Sequence, residues 1–368
     1  MKVLHLGKLC PPNEGGIEVF SYDLLEYLNS KGIKADLLCF GNRTFNDAYR
    51  GFNFFSCKMN VKLNSAPLSY DFVKTFKKIE KNYDIIHVHS PNPLAEILSL
   101  FSHKKVVAHW HSDIVRQKFT YFFYKPFQHM YLKKAIRIIC TSPQYLQTSK
   151  QLEGFRNKAV VIPLGLNPKR LMSDYVDEKF KDFIELKNKG RKIVLSIGRL
   201  VEYKGYKYLI EAAKYINNNI SIVIAGSGPL FQSLEEKIET LNLKEKVFLF
   251  GRINNVSLYM KNCDVFCLPS ITRNEAFGLV LVEALYFGKP LITTDVEGSG
   301  ISYVNQNGIT GLVVKPKDPK ALAEAINKIL KNENLYKQFS ENAKKRFKEF
   351  EISNIGDKIL NLYEEVLK

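Results

Sequence analysis

From Lys2 onward, short apolar runs alternate with segments of helical periodicity, and the alternation stops once and begins again. The runs are "KVLHLG" (2–7), "ADLLCF" (35–40), "DIIHVHS" (84–90), "KVVAHWH" (105–111), "IRIICTS" (136–142) and "AVVIPLG" (159–165). Between the first two, "IEVFSYDLLEYLNSKG" (17–32) places Ile17, Phe20, Leu24 and Leu28 on one helical face and stops at Gly32. A polar, charged stretch covers residues 167–190. The pattern then resumes with "KIVLSIG" (192–198), "SIVIAGSG" (221–228), "KVFLFGRI" (246–253), "DVFCLPS" (264–270) and "KPLITTD" (289–295). Helices are expected over about 206–216, from Pro229 and from about Leu279. Strands that are apolar throughout and separated by crossover helices belong to parallel sheets covered on both faces. Two such sheets in tandem predict an α/β chain of two Rossmann-like domains, with ligands at the carboxyl ends of the strands.

Length agrees, since 368 residues suffice for two domains. No apolar run reaches the ~18 residues of a membrane span, and "MKVLHLGKLCPPNEGG" has too short an apolar core for a signal peptide. These features, with six cysteines expected to remain reduced, predict a cytoplasmic protein. Cys263 and Cys267 have no second pair or nearby histidine to complete a zinc set, so no metal is expected. The net charge of +17 implies an acidic partner, whether nucleic acid, an anionic membrane face or phosphorylated ligands. A lysine-rich proteome would give the same excess with no partner at all.

The chemistry-bearing stretches cluster just after strands. "PPNEGG" (11–16) offers Gly15 and Gly16 and the amides of the following helix, without the G-x-G-x-x-G fingerprint of dinucleotide enzymes. "IGRLVEYKGY" (197–206) presents Arg199 and Lys204, two cations able to hold a diphosphate or simply to be solvated. "AGSGPL" (225–230) brings Gly226 to a strand-to-helix turn. "RNEAFGLVLVEAL" (273–285) puts Glu275 in the loop before a helix and Glu283 in its second turn. That helix start is a ready anion site with an acid on either side, although a helix with an acidic first turn reads the same way. "HVHSPNP" (87–93) and "AHWHSD" (108–113) contribute His87, His89, His109, His111 and Asp113, readable as a metal site, a general base or core histidines. His111 is favoured as the functional one, because Ser112-Asp113 looks like a helix start.

Taken in order, "PPNEGGIE", "AHWHSD", "IPLGL", "IGRLVEYKG", "AGSGP", "EAFGLVLVEAL", "GKPLITTD" and "NGITGLVV" resemble the retaining glycosyltransferases of family 4, along essentially the whole chain. The resemblance implies a GT-B fold: an acceptor-binding domain over 1–168 and a donor-binding domain over 169–350, facing one another across a cleft. Residues 351–368 would form a helix crossing back to the first domain. It implies that Glu275 contacts donor sugar hydroxyls, Glu283 the ribose, and Arg199 and Lys204 the diphosphate. The amides of Phe277, Gly278 and Leu279 would support that diphosphate, and Gly15 and Gly16 would close over it. His111, Glu275, Arg199 and Lys204 form the implied catalytic set. His111 matches the histidine near the transferred sugar, and the leaving diphosphate helps deprotonate the acceptor. No cofactor or metal is implied beyond the nucleotide-sugar donor. "GSGISYVNQNG" and "WHSDIVRQK" resemble bacterial mannosyltransferases of surface polysaccharide and lipopolysaccharide assembly, pointing to GDP-mannose, although UDP-hexose enzymes carry the same motifs.

Two other readings remain: a GT-B nucleotide-sugar epimerase or hydrolase, and a basic nucleic-acid-binding protein. The latter would predict a basic patch with exposed aromatics and no tandem sheet. "VRQKFTYFFYKPFQHMYLKKAIR" (115–137) combines Arg116, Lys118, Lys125, Lys133, Lys134 and Arg137 with seven Phe or Tyr and no acid. This segment suggests peripheral attachment to the inner face of an anionic membrane, beside a glycan or lipid-linked saccharide acceptor. A crossover helix with its aromatics in the core is the plainer reading of the same residues.

Overall fold

The computed structural model describes the chain except for residues 13–14, 64–65, 115–117 and 174 and the side chain of Lys118. It divides into two compact units, Met1–Gly165 with Ile352–Lys368, and Leu166–Glu351.

The first unit runs β1 (Lys2–Leu9), α1 (Gly16–Ser30), β2 (Lys34–Gly41), β3 (Phe45–Tyr49), β4 (Phe52–Lys58), β5 (Val61–Leu63), β6 (Ala66–Leu68), α2 (Tyr70–Ile79), β7 (Ile85–Ser90) and α3 (Pro93–Leu100). It continues through β8 (Lys105–Trp110), α4 (Lys118–Lys134), β9 (Arg137–Cys140), α5 (Pro143–Thr148) and β10 (Ala159–Val161). Eight strands form one sheet in the order β10-β9-β8-β7-β1-β2-β4-β3, parallel except for β3. The second unit comprises α6 (Glu178–Asn188), β11 (Lys192–Ile197), α7 (Tyr206–Ala212), β12 (Ile220–Ala225), α8 (Phe231–Thr240), β13 (Val247–Gly251), α9 (Val256–Asn262) and β14 (Val265–Leu268). After these come α10 (Leu279–Tyr286), β15 (Leu291–Thr294), α11 (Ile301–Val304), β16 (Gly311–Val314), α12 (Pro319–Lys331) and α13 (Glu333–Phe347). Its sheet has the order β13-β12-β11-β14-β15-β16, a doubly wound arrangement in which the strand order reverses between β11 and β14.

Local chemistry explains the elements. The central strands are buried on both faces, as at Ile193–Ile197 and Ile220–Ala225, which is why their sequences are continuous apolar runs. Asp318 caps α12 by accepting from the Ala321 amide at 3.0 Å, with Pro319 at the first helical position. Asp177 caps α6 in the same way through Phe180, also at 3.0 Å. The polar stretch 167–190 contains α6, which belongs to the second unit. The helix expected over 206–216 ends at Ala212. The short strands β3, β5 and β6 are mostly exposed and gave no sequence signal, whereas β4, buried at Phe52, Phe54 and Cys57, pairs with β2 inside the sheet.

The last helix, α14 (Ile352–Leu367), packs in the first unit beside α1. The Tyr27 hydroxyl donates to Asp357 at 2.5 Å, Lys105 reaches the Val366 carbonyl at 2.6 Å, and Arg137 pairs with Glu365. Gly356 allows this close approach, since a Cβ there would run into the Tyr27 ring. One expectation fails outright. Cys10 and Cys39 form a disulfide with Cα atoms 5.2 Å apart, brought together as neighbours by parallel pairing of β1 with β2. The four other cysteines are buried thiols.

Candidate active site

In the second unit, the loops after β11 and β14 meet at the point where strand order reverses. The Ile271 amide donates to the Tyr203 carbonyl at 2.8 Å, tying one loop to the other. Across this junction Lys204 Nζ stands 2.5 Å from Glu275 Oε2, with both residues 8% exposed. Burial opposes the Lys204 ammonium, but the Glu275 carboxylate, with Tyr206 and Tyr203, outweighs it and raises the lysine above its ordinary range. Ser270 Oγ donates to the same carboxylate oxygen at 3.3 Å. Sequence reading placed Lys204 and Glu275 in separate loops without pairing them. They are instead a buried ion pair.

The surrounding backbone is close and bare. A Cβ on Gly226 would collide with the Gly198 carbonyl, so the ends of β11 and β12 touch through glycine alone. Gly278 caps α10 at φ +79°, and no side chain caps the helix. The Gly278 and Leu279 amides have no acceptor among the described residues, which leaves them available to an anion. The Phe277 ring is buried against Phe350, so only its backbone can serve a ligand. Arg199 is exposed. Glu283 accepts from Arg170 at 2.9 Å, a partner that the sequence reading missed because Arg170 lies 113 positions away in a polar stretch without a motif.

Gly15, Gly16 and His111 lie in the first unit. Gly15 caps α1 with an exposed backbone, and Glu18 folds its carboxylate back to where a Gly15 side chain would be. Burial raises the Glu18 pKa. The four histidines of the motifs are joined by His5 of β1, and all five rings are at most 3% exposed. Strand register places His5 opposite His87 and His89 opposite His109, so the rings share one face of β1, β7 and β8. Two triplets, His5–His87–His89 and His89–His109–His111, have ring nitrogens within 4.8 Å of one another. Yet the rings stack, His109 on His111 at 4.2 Å and His89 on His111 at 5.2 Å, and their nitrogens meet pairwise as hydrogen bonds of 2.9–3.1 Å rather than converging on one point. Burial lowers the pKa of every ring, that of His89 to about 3. They are neutral imidazoles. Asp113 does not start a helix: its carboxylate accepts from Trp110 Nε1 at 3.0 Å and Ser149 Oγ at 2.7 Å, and α4 begins at Lys118.

Helix α4 turns its phenylalanines outward. Phe119, Phe122, Phe123, Phe127 and Met130 are 45–79% exposed, at spacings that put them along one side. The plainer reading, aromatics in the core, holds only for Tyr131, which is fully buried. The cations are fewer than the sequence suggests. Lys125 and Lys133 are exposed, but Lys134 bonds the Leu100 and Ser102 carbonyls and Arg137 pairs with Glu365. Arg116 lies outside the described residues, as does the Lys118 side chain. Beside α4 an apolar pocket of about 210 Å³ is lined by Leu63, Leu68, Pro91, Pro93, Tyr121 and Tyr124. No helix among the described residues is long and apolar enough to cross a membrane.

Two mostly parallel-sheet units, the second with an anion-ready helix start and a Lys–Glu pair at its strand reversal, define a doubly wound α/β protein with a candidate anion site. Residues 14–170 match the model of glycosyltransferase family 4, and residues 177–346 that of glycosyl transferases group 1. The chain is 34% identical to the O-antigen chain mannosyltransferase C of Escherichia coli, over 100% of this chain and 99% of that one. It is 30% identical to the D-rhamnosyltransferase WbpZ of Pseudomonas aeruginosa, over 95% and 92%. Among solved structures it is similar to HepE of Anabaena in complex with UDP, at TM-score 0.80 and 20% identity over 99% of this chain and 100% of that one. The protein belongs to the family 4 glycosyltransferases and has the GT-B fold.

Proposed function

We propose that this glycosyltransferase moves a hexose, with retention of configuration and without a metal ion, from a nucleotide-diphosphate donor to a saccharide acceptor in bacterial surface glycan assembly. The observation that carries this is the Lys204–Glu275 pair at the strand reversal, beside the free amides of Gly278 and Leu279. A departing diphosphate needs its charge met. Lys204, the exposed Arg199 and the α10 amides supply that positive field, an electrostatic contribution typically of a few kcal/mol. Glu275 would bind donor hydroxyls and Glu283 the ribose, while Gly226 keeps the floor clear and Gly15 and Gly16 would offer backbone to the donor. His111 would sit by the transferred sugar, and the leaving diphosphate would take the acceptor proton. GDP-mannose is the favoured donor, supported by the relative named as a mannosyltransferase, with UDP-hexoses next. Product NMR showing inversion, or activity abolished by EDTA, overturns this reading. Nucleoside diphosphate released at the same rate with and without acceptor would favour the hydrolase or epimerase alternative.

The acceptor is proposed to be lipid-linked and met at the cytoplasmic face of an anionic membrane. The exposed phenylalanines of α4, with Lys125 and Lys133 on the same helix, support this, and the apolar pocket beside them would receive part of the acceptor. Vesicle sedimentation should show binding to anionic but not neutral lipid, weakening with salt. Equal retention on nucleic acid would favour the basic-protein alternative instead.

A further inference from the structure

Five imidazoles and one phenol form an unbroken hydrogen-bonded row inside the first unit. His109 Nδ1 lies 3.1 Å from His87 Nε2, and His87 Nδ1 lies 2.6 Å from the Tyr363 hydroxyl of α14. That hydroxyl is 3.3 Å from His5 Nε2. His5 Nδ1 is 3.1 Å from His89 Nε2, and His89 Nδ1 is 2.9 Å from His111 Nε2. The two nitrogens left over, His109 Nε2 and His111 Nδ1, are buried and have no partner among the described residues.

A neutral imidazole carries one proton, so it donates from one nitrogen and accepts at the other. Along a row of such rings the direction of each bond fixes the next. Tyr363 also has one proton, and must donate to one branch and accept from the other. Its contact with His87 is the shorter by far and has the length of an O–H···N bond, so the proton goes there. His5 Nε2–H then donates to the phenol oxygen, His89 Nε2–H to His5 Nδ1, and His111 Nε2–H to His89 Nδ1. The Ser21 hydroxyl donates to the Ile17 carbonyl at 2.7 Å, and its oxygen also lies 3.3 Å from His89 Nδ1. So directed, the row ends at His109 as an Nε2–H and at His111 as a bare Nδ1; reversing the His5 branch alone would require Tyr363 to donate twice and leave a second buried N–H, at His111, with no acceptor.

We propose that Tyr363 is a positioning residue: through His5 and His89 it fixes His111 as the Nε2–H tautomer and bares the Nδ1 lone pair to accept from a hydroxyl of the bound sugar. The tautomer follows from the row alone, whereas its use on a sugar rests on the glycosyl-transfer reading above. Long-range 1H–15N correlation spectra of histidine-labelled protein at neutral pH, recorded without substrate, read each ring directly. In the wild type His111 should show a protonated Nε2 and a bare Nδ1. Tyr363→Phe keeps the ring and removes the proton that orients both branches, so His111 should become a mixture of tautomers. In the transfer assay, kcat should fall about two- to tenfold at unchanged donor KM, as expected for losing part of a correctly protonated population. The proposal is overturned by a wild-type His111 protonated at Nδ1, by stoichiometric zinc in the purified protein, or by a folded Tyr363→Phe variant whose His111 spectrum is unchanged. The wild-type spectrum decides the tautomer even if the variant does not fold, and independently of the transfer assay.

Discussion

Both units cluster polar groups beside their first strand, but with opposite chemistry. In the first, the adjacent strands β1, β7 and β8 and the residue after β8 carry five stacked, uncharged imidazoles beside α1 and α14. In the second, β11 and β14 carry charges: Lys204 with Glu275, and Glu283 held by Arg170. A neutral row transmits orientation from ring to ring, while an ion pair stores field at one spot. The same topology thus serves two kinds of polar site, and the two should fail under different insults.

Acid should separate them most sharply. The ring pKa values are lowered in the folded state, so unfolded chain binds more protons once pH drops below the ordinary histidine value of 6.5. The stability contributed by neutral burial is complete above that value and is lost as pH falls from about 6.5 toward 3, by up to about 1.4 kcal/mol per pH unit for each histidine. Denaturant titrations at stepped pH, followed by hydrogen exchange, should show the first unit opening between pH 6.5 and 5 while the second remains protected. Simultaneous loss of both units would break the contrast.

Removing one charge attacks the other unit. Glu275→Ala should reduce transfer ~30- to 1000-fold and, by leaving Lys204 buried without its partner, destabilise the second unit by about 3–5 kcal/mol. The double variant Lys204→Ala/Glu275→Ala should recover much of that stability but none of the activity. Strictly additive melting temperatures would mean the pair is not coupled. A smaller effect is expected at Glu283, whose pair with Arg170 is partly exposed. Glu283→Ala should raise the donor KM about tenfold with kcat little changed, and steady-state kinetics showing the reverse pattern would remove it from the ribose. Least of all should Phe122→Ser with Phe123→Ser matter to folding, within about 0.5 kcal/mol, because both rings are already exposed. Vesicle binding should nevertheless fall, and unchanged binding would take α4 out of the membrane contact.

What the sequence made legible follows from which forces are local. Parallel strands buried on both faces announce themselves as apolar runs, so the rhythm and its restart gave both sheets. Glu275 and Glu283 stood out because both flank one helix start. Pairings made across the chain were invisible: Arg170 with Glu283, Lys204 with Glu275, and Cys10 with Cys39 each need strand order and register before they can be seen. His5 had no companion in its own segment, and Tyr363 sat in a terminal helix expected only from the family resemblance. The phenylalanines of α4 left core and surface equally open, since composition does not say which side a helix turns outward.

The position of α14 bears on how the molecule is made. Tyr363 and Gly356 complete the first unit, yet they leave the ribosome after residues 166–351. Until then the His5 and His87 rings lack the phenol that joins them, and the nascent first unit must wait with that face uncovered while the second forms. Closing so long an intervening segment adds only slowly growing entropy, so the delay is set by synthesis rather than by search. A chain stalled before Ile352 should show a ready-made second unit attached to a first unit still open to proteases, a vulnerability that ends when the last helix docks.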